Sequence, residues 1–324
     1  MGCSSLRHGF EFVYGRCFFP HSGAPGGGAV CCFAGTPTGI GFSAFILPPT
    51  VVHYDLFGGG FVEIQPKRSK KLLHTVMAVQ IPWGAPQVEP IPVFLPRLPA
   101  AFCGARVAVV ADVHLPDNAV RLPRLINCVA LQRPDAIFLP GDLTNSYTDF
   151  DAAGLRRLAK ALAAIAPCFA IPGNHELRLG REPLYGQILT ECGVHYLCDS
   201  YANWEKDGAV LRLFGMGHRC PRPLAVSGQP SIALAHKPDY FSYYQKARWQ
   251  LVVCGHAHGG QIRVKGRGLY APGQGVLPAY TDGVYRQGAT TMVVSRGLGN
   301  SSMPLRVANP THMPLLLLMP AGAS

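Results

Sequence analysis

The chain has 324 residues, 48% of them apolar and 15% charged, with a formal net charge of +11. That apolar share supports a sizeable core and excludes wholesale disorder, and the length allows one large domain or two small ones. The positive charge favours an anionic partner (a phosphate ester, a membrane face or a nucleic acid), although solubility alone would also account for it. The 37 Gly and 29 Pro imply many turns. Eleven cysteines, odd in number and without a C-x-x-C pair, form no disulfide framework and read as thiols of a reduced, intracellular protein. Cys128, Cys168 and Cys254 fall in apolar stretches, where a thiol packs as a small hydrophobe.

Residues 1–87 show little helical or strand periodicity and are broken by runs such as Gly26-Gly27-Gly28 and Gly58-Gly59-Gly60. The uncharged run 29–52 has the length of a membrane span, but Pro37, Pro48 and Pro49 interrupt it. The basic run 67–71 before an apolar stretch ending at Ile81 has the order of an anchor, but Pro82 cuts it short. Neither is a convincing signal peptide or transmembrane helix, so the expected location is cytoplasmic or peripheral to a membrane. Residues 1–87 are therefore expected to be an irregular region, a degraded anchor or a segment outside the mature protein, and residues 88–324 a catalytic domain.

From Arg106 short apolar runs alternate with amphipathic stretches, an α/β pattern. Residues 106–111 (RVAVVA) read as a buried strand, 122–133 as a helix and 136–139 (AIFL) as a second strand. Asp151 is placed to cap a helix reaching Ala164, with Leu155, Leu158, Leu162 and Ile165 on one face. Further strands are expected at 167–171, 209–214, 231–235, 250–254, 261–264, 290–295 and 314–319.

Five of these strands run into side chains of metal-ligand type. They lead to Asp112-Val113-His114, Gly141-Asp142, Gly173-Asn174-His175-Glu176, His236 and Gly255-His256-Ala257-His258. Ligand sites of α/β sheets gather at the carboxyl ends of strands, so residues far apart in sequence can converge there. Carboxylate, imidazole and amide oxygen suit Mn, Fe, Zn or Mg. Taken singly, Asp-x-His is common by chance, Gly-Asp is a turn and a lone His236 is more often a core histidine. The ordered set, each member ending a strand, outweighs those readings.

This ordered set resembles the calcineurin-like metallophosphoesterase superfamily over about residues 100–320. Gly259-Gly260-Gln261 and the stretch from Ser295 to Ser301 make it similar to a bacterial, often membrane-associated branch. That branch also resembles enzymes hydrolysing UDP-2,3-diacylglucosamine. The resemblance implies a four-layer αββα sandwich with two mixed β-sheets. It implies two divalent metal ions, manganese favoured: one held by Asp112, His114, Asp142 and His258, the other by Asp142, Asn174, His236 and His256. Asp142 would bridge them, and His175 would approach the scissile ester without binding metal. Members often carry Asp where this chain has Asn145, and the branch's apolar N-terminal helix has no clean counterpart here.

The implied activity is hydrolysis of a phosphodiester or phosphomonoester by a hydroxide between the metals. A lipid-linked pyrophosphate of the UDP-2,3-diacylglucosamine type is the alternative substrate, and an inactive binding module on the same fold the alternative of another class. The expected partner is the anionic ester itself, with peripheral membrane association as a second expectation. No basic stripe interleaved with aromatics points to a specific nucleic-acid partner. Gln261, Arg263, Arg296 and Asn300, which follow the metal motifs, are the candidate substrate contacts, and ordinary surface charge explains them equally well. The aromatic cluster Tyr240, Phe241, Tyr243 and Tyr244 has helical spacing and reads as core, or in part as the wall of an apolar pocket.

Overall fold

The computed structural model describes residues 52–55, 61–64 and 85–321, apart from 117–119, 147–148, 179, 218–222, 224–228 and 301–305. The chain forms two compact units, Met1–Leu73 and His74–Ser324. In the first, Val52–Asp55 pairs antiparallel with Phe61–Ile64, a hairpin that the weak periodicity of this region does not announce. The anchor-like stretch 67–81, and the uncharged run 29–52 but for Val52, lie outside the described residues. Among the described residues no helix is long and apolar enough to cross a membrane.

The second unit contains two six-stranded mixed sheets. In chain order its elements are β1 (Gln87–Leu95), β2 (Arg106–Val109), α1 (Leu122–Leu131), β3 (Ala136–Leu139), α2 (Ala152–Ala163), β4 (Cys168–Ala170), α3 (Asn174–Arg178), α4 (Glu182–Glu191), β5 (His195–Tyr196), β6 (Ser200–Lys206), β7 (Ala209–Gly215), β8 (Ile232–Leu234), α5 (Phe241–Ala247), β9 (Leu251–Cys254), β10 (Gly283–Gln287), β11 (Thr290–Val294) and β12 (His312–Pro320). The first sheet has the order β1-β12-β2-β3-β4-β5, and the second β10-β11-β9-β8-β7-β6. β2 to β5 run parallel, as do β7, β8, β9 and β11.

Period-two burial builds the layers. Val107 and Val109 of β2, with Phe138 and Phe169, face Leu213, Leu234, Leu251 and Val253 of the second sheet. Ala108, Ile137 and Leu139 turn the other way, onto Leu125 of α1, Leu155, Leu158 and Leu162 of α2, and Ile188 of α4. On the far side of the second sheet, Ala233, Val252 and Cys254 pack against Phe241 and Tyr244 of α5. The result is the expected four-layer sandwich. Two central parallel strands with buried faces explain why β3 (AIFL) and β9 (LVVC) are apolar throughout.

The sequence expectations hold best where periodicity is strong. Asp151 accepts from the Gly154 N–H at 2.8 Å and starts α2 as anticipated. They fail at 261–264, where only Arg263–Val264 is a strand. Gln261 has a φ of 54°, and that left-handed turn breaks the extended run. β1, β5, β6, β10, α3 and α4 have no counterpart among the expected elements. β1 carries Pro90 and Pro92, which argue against a central strand, and it lies at the sheet edge, where a missing N–H is tolerated.

Candidate metal centre

The carboxyl ends of β2, β3 and β4 in one sheet, and of β8 and β9 in the other, bring their loops to one place. Beyond the strands the loops stay paired: the Asp112 N–H donates to the Gly141 carbonyl at 3.2 Å, and the His114 N–H to the Asp142 carbonyl at 3.1 Å. The two loops after β3 and β4 also press together. A Cβ on Gly141 would stand 2.6 Å from the Gly173 Cα, and one on Gly173 only 2.1 Å from Asp142 Oδ1. These glycines are needed because two backbones touch. Asp112, His114, Asp142, His256 and His258 all take positive φ, between 47° and 71°. Residues with a Cβ seldom adopt that conformation, and it turns each side chain inward from the end of its strand.

All eight residues expected at the centre are brought together. Ligand atoms of Asp112, His114 and His258 lie within 4.8 Å of one another, as do those of His114, Asp142 and His175, and those of Asp142, His236 and His256. Asp142 Oδ2 is shared: it stands 3.1 Å from His236 Nε2, 3.9 Å from His175 Nε2 and 4.0 Å from His114 Nε2. Nε2 atoms of His114 and His258 approach to 3.1 Å.

The donor set fits cations, and the protons show why. His236 Nδ1 lies 2.8 Å from the Pro140 carbonyl oxygen, an acceptor only, so its proton belongs there. That leaves the Nε2 lone pair facing Asp142 Oδ2 at 3.1 Å, Asn174 Oδ1 at 3.1 Å and His256 Nδ1 at 3.2 Å. The Nε2 lone pair and the Asp142 carboxylate oxygen are both acceptors, a pair that a cation between them satisfies. Burial opposes a charged His236, but the Asp142 carboxylate outweighs it and lifts the imidazole to about 9. The other imidazoles stay neutral, with a lone pair to offer. Burial lowers His114 and His256 to about 3, and burial with the neighbouring His114 and Arg306 holds His258 well below its usual value. Burial pushes the Asp112 carboxyl up, whereas against the same burial His236, His114 and His175 hold Asp142 well below the usual carboxylate range.

His175 is built differently. Its Nδ1 accepts the Ser146 backbone N–H at 2.9 Å, so the proton of the neutral ring sits on Nε2, on the side of Asp142. Burial lowers its pKa and keeps the ring neutral. A cavity of about 340 Å³ opens over the cluster, lined by Asp142, Asn174, His175, His256 and His258, with Arg178 and Lys237 at its edge.

Three of the four candidate substrate contacts have internal side-chain partners, and the fourth, Gln261, has a buried Oε1 with none among the described residues. Arg263 and Arg296 both bind Asp282, at 2.8 and 3.2 Å, and Arg296 also donates to Gln87 Oε1. Asn300 accepts from Arg306, and Gln261 is buried. Two supporting residues were not singled out from the sequence. Glu176 accepts from the backbone N–H groups of Asp142, Thr144 and Gly173 and from the Thr144 hydroxyl, at 2.8–3.0 Å, joining the loops after β3 and β4. Arg306, buried, donates to the carbonyls of Arg296 and Gly299 and lies 3.3 Å from His258 Nδ1. Glu176 stood inside a quoted motif without a role. For Arg306 the sequence holds a fainter signal, a lone arginine between Leu305 and Val307. Glu176→Gln would set an NH2 group against N–H donors, and should cost about 1–3 kcal/mol in urea unfolding. Unchanged stability would show that the loops do not depend on this carboxylate.

A family model described as calcineurin-like phosphoesterase matches residues 105–260. Phosphodiesterase YaeI of Escherichia coli (strain K12) is 30% identical over 206 residues, covering 60% of this chain and 75% of that protein. The uncharacterized metallophosphoesterase YkuE of Bacillus subtilis (strain 168) is 26% identical over 228 residues, 64% of this chain and 77% of its own. A transmembrane protein with metallophosphoesterase domain from Danio rerio is 26% identical over 262 residues, 73% of this chain and 58% of the fish protein.

Proposed function

From the premise that this chain belongs to the calcineurin-like metallophosphoesterase family and hydrolyses phosphate esters, we propose that it is a two-metal phosphodiesterase. The observation that carries this is the buried cluster of carboxylate and imidazole ligand atoms within 4.8 Å of one another, with Asp142 Oδ2 between His114 and His236. Asp112, His114, Asp142 and His258 would hold one divalent ion, and Asp142, Asn174, His236 and His256 the second. Asp142 would serve both, since its Oδ2 lies within 4.0 Å of imidazoles of both sets. The carboxylate, imidazole and amide donors suit Mn, Fe or Zn, with Mn the first to test. Two such ions neutralise an anionic ester and lower the pKa of water near neutrality.

The remaining work falls to side chains. Arg178 and Lys237, at the cavity edge, attract the ester's negative charge. His175, its Nε2–H fixed by the Ser146 N–H at the other nitrogen, donates a hydrogen bond from Nε2 that stabilises the charge developing on the leaving oxygen. Asp112 accepts the His256 backbone N–H on both carboxylate oxygens, at 2.9 and 3.0 Å, and so fixes the Gly-His-x-His loop relative to β2.

The test is metal analysis of the purified protein combined with hydrolysis of bis(p-nitrophenyl) phosphate with added manganese. Metal-dependent turnover is expected. Full metal occupancy with no turnover of any ester would favour a binding module instead. Chelation should also lower the thermal midpoint, and manganese should restore it. An ion that binds only the folded chain contributes about 2.7 kcal/mol at a concentration of 100 Kd. A melting curve indifferent to chelator and metal would overturn the site itself.

A further inference from the structure

A second cavity, of about 650 Å³, adjoins the first and shares Asn174, Arg178 and Lys237 with it. Beyond that shared rim its character changes. The walls are Leu177, Met216, Tyr240, Tyr243 and Tyr244. The Tyr244 hydroxyl is engaged with the Lys237 carbonyl at 2.6 Å, and Tyr240 and Tyr243 meet edge to face at 5.9 Å. Lys237 Nζ lies 5.8 Å from the Tyr240 ring centre, so one cation joins the polar rim to the aromatic wall. Tyr240 and Tyr243 remain 45% and 59% exposed, large apolar surfaces at the mouth of a recess, which the packing of α5 does not require.

We propose that this cavity is the subsite for one ester group of the substrate, and that the group is a long apolar chain. The inference rests on the phosphodiesterase reading above. The occupant follows from three features. The cavity is continuous with the metal cluster, so it receives whatever is esterified to a phosphate bound there. Arg178 and Lys237 stand at the junction, where the phosphate's charge would lie. The aliphatic and aromatic walls offer few partners to the edge of a nucleobase but match methylene groups, and the volume lies in the range of pockets that enclose a drug-sized ligand. Tyr240 and Tyr243 then set the preference for apolar esters, and Arg178 and Lys237 grip the phosphate whatever its alcohol.

The experiment uses the full chain loaded with manganese and a series of alkyl p-nitrophenyl phosphates from methyl to decyl, each below its micelle concentration. kcat/KM should rise by on the order of twofold to fourfold per methylene while the chain is entering the cavity. In Tyr240→Ala and Tyr243→Ala, both at exposed positions that keep the fold, the decyl-to-methyl ratio should fall at least about tenfold. Arg178→Gln should lower kcat/KM along the whole series and leave that ratio standing. A flat series with an active methyl ester would overturn the apolar subsite and leave the phosphodiesterase reading intact. Preference for thymidine p-nitrophenyl phosphate over the decyl ester would overturn it as well. No hydrolysis of the methyl ester by the metal-loaded protein would instead remove the reading beneath it.

Discussion

Asp142→Ala should lose both metal ions together, and kcat/KM should fall by on the order of 10³-fold or more, while the chain still folds. The expectation comes from one atom. Oδ2 of Asp142 is within 4.0 Å of His114 and 3.1 Å of His236, residues that belong to the two proposed ligand sets. Oδ1 accepts the His175 backbone N–H at 2.9 Å and so also places the residue meant to stabilise the leaving oxygen. Electrostatic stabilisation of developing charge is the largest single contribution in many hydrolases, and loss of both ions removes most of it. Metal analysis with circular dichroism as a check on folding decides the matter. A folded variant that retains two ions per chain would end the bridging role, and one that retains a single ion would mean that Asp142 serves only one site.

His175→Ala should behave in the opposite sense: metal content unchanged, turnover lowered by about 10²–10⁴-fold. Position alone does not separate a ligand from a hydrogen-bond donor, because His175 Nε2 is only 3.9 Å from Asp142 Oδ2. The leaving group does. p-Nitrophenolate carries its charge without help, whereas a departing alkoxide needs its charge stabilised. The loss should therefore be small with bis(p-nitrophenyl) phosphate and grow as the pKa of the leaving alcohol rises. A loss equal for every leaving group, accompanied by missing metal, would make His175 a ligand.

The centre was more legible in the sequence than the fold around it. Each ligand stands at the end of an apolar run, so Asp112, Asp142, Asn174, His236 and His256 announced themselves by position as well as by type. Strand ends are where α/β sheets place such groups, and the structure brings all of them together. The supporting groups are harder to read because most of their partners are backbone atoms. Glu176 binds N–H groups of three residues and Arg306 binds two carbonyls, and the sequence pattern marks none of these backbone contacts. Arg263 and Arg296 looked like phosphate grips because a charge can be seen in a sequence and its partner cannot. Asp282, which holds both, lies 19 and 14 residues away. β1 was hidden by Pro90 and Pro92, and only its place at the sheet edge makes them tolerable.

The left-handed backbone of Asp112, His114, Asp142, His256 and His258 has a consequence for how this protein would respond to engineering. Each such residue costs on the order of 1–3 kcal/mol. Glycine adopts the same conformation without that penalty. A library screened only for heat resistance, with no requirement for activity, would therefore drift toward glycine at the very positions that make the chain a hydrolase. Durability and chemistry compete here for the same five residues, and a sturdier variant is better sought in α1, α2 and α4 than at the carboxyl ends of the strands.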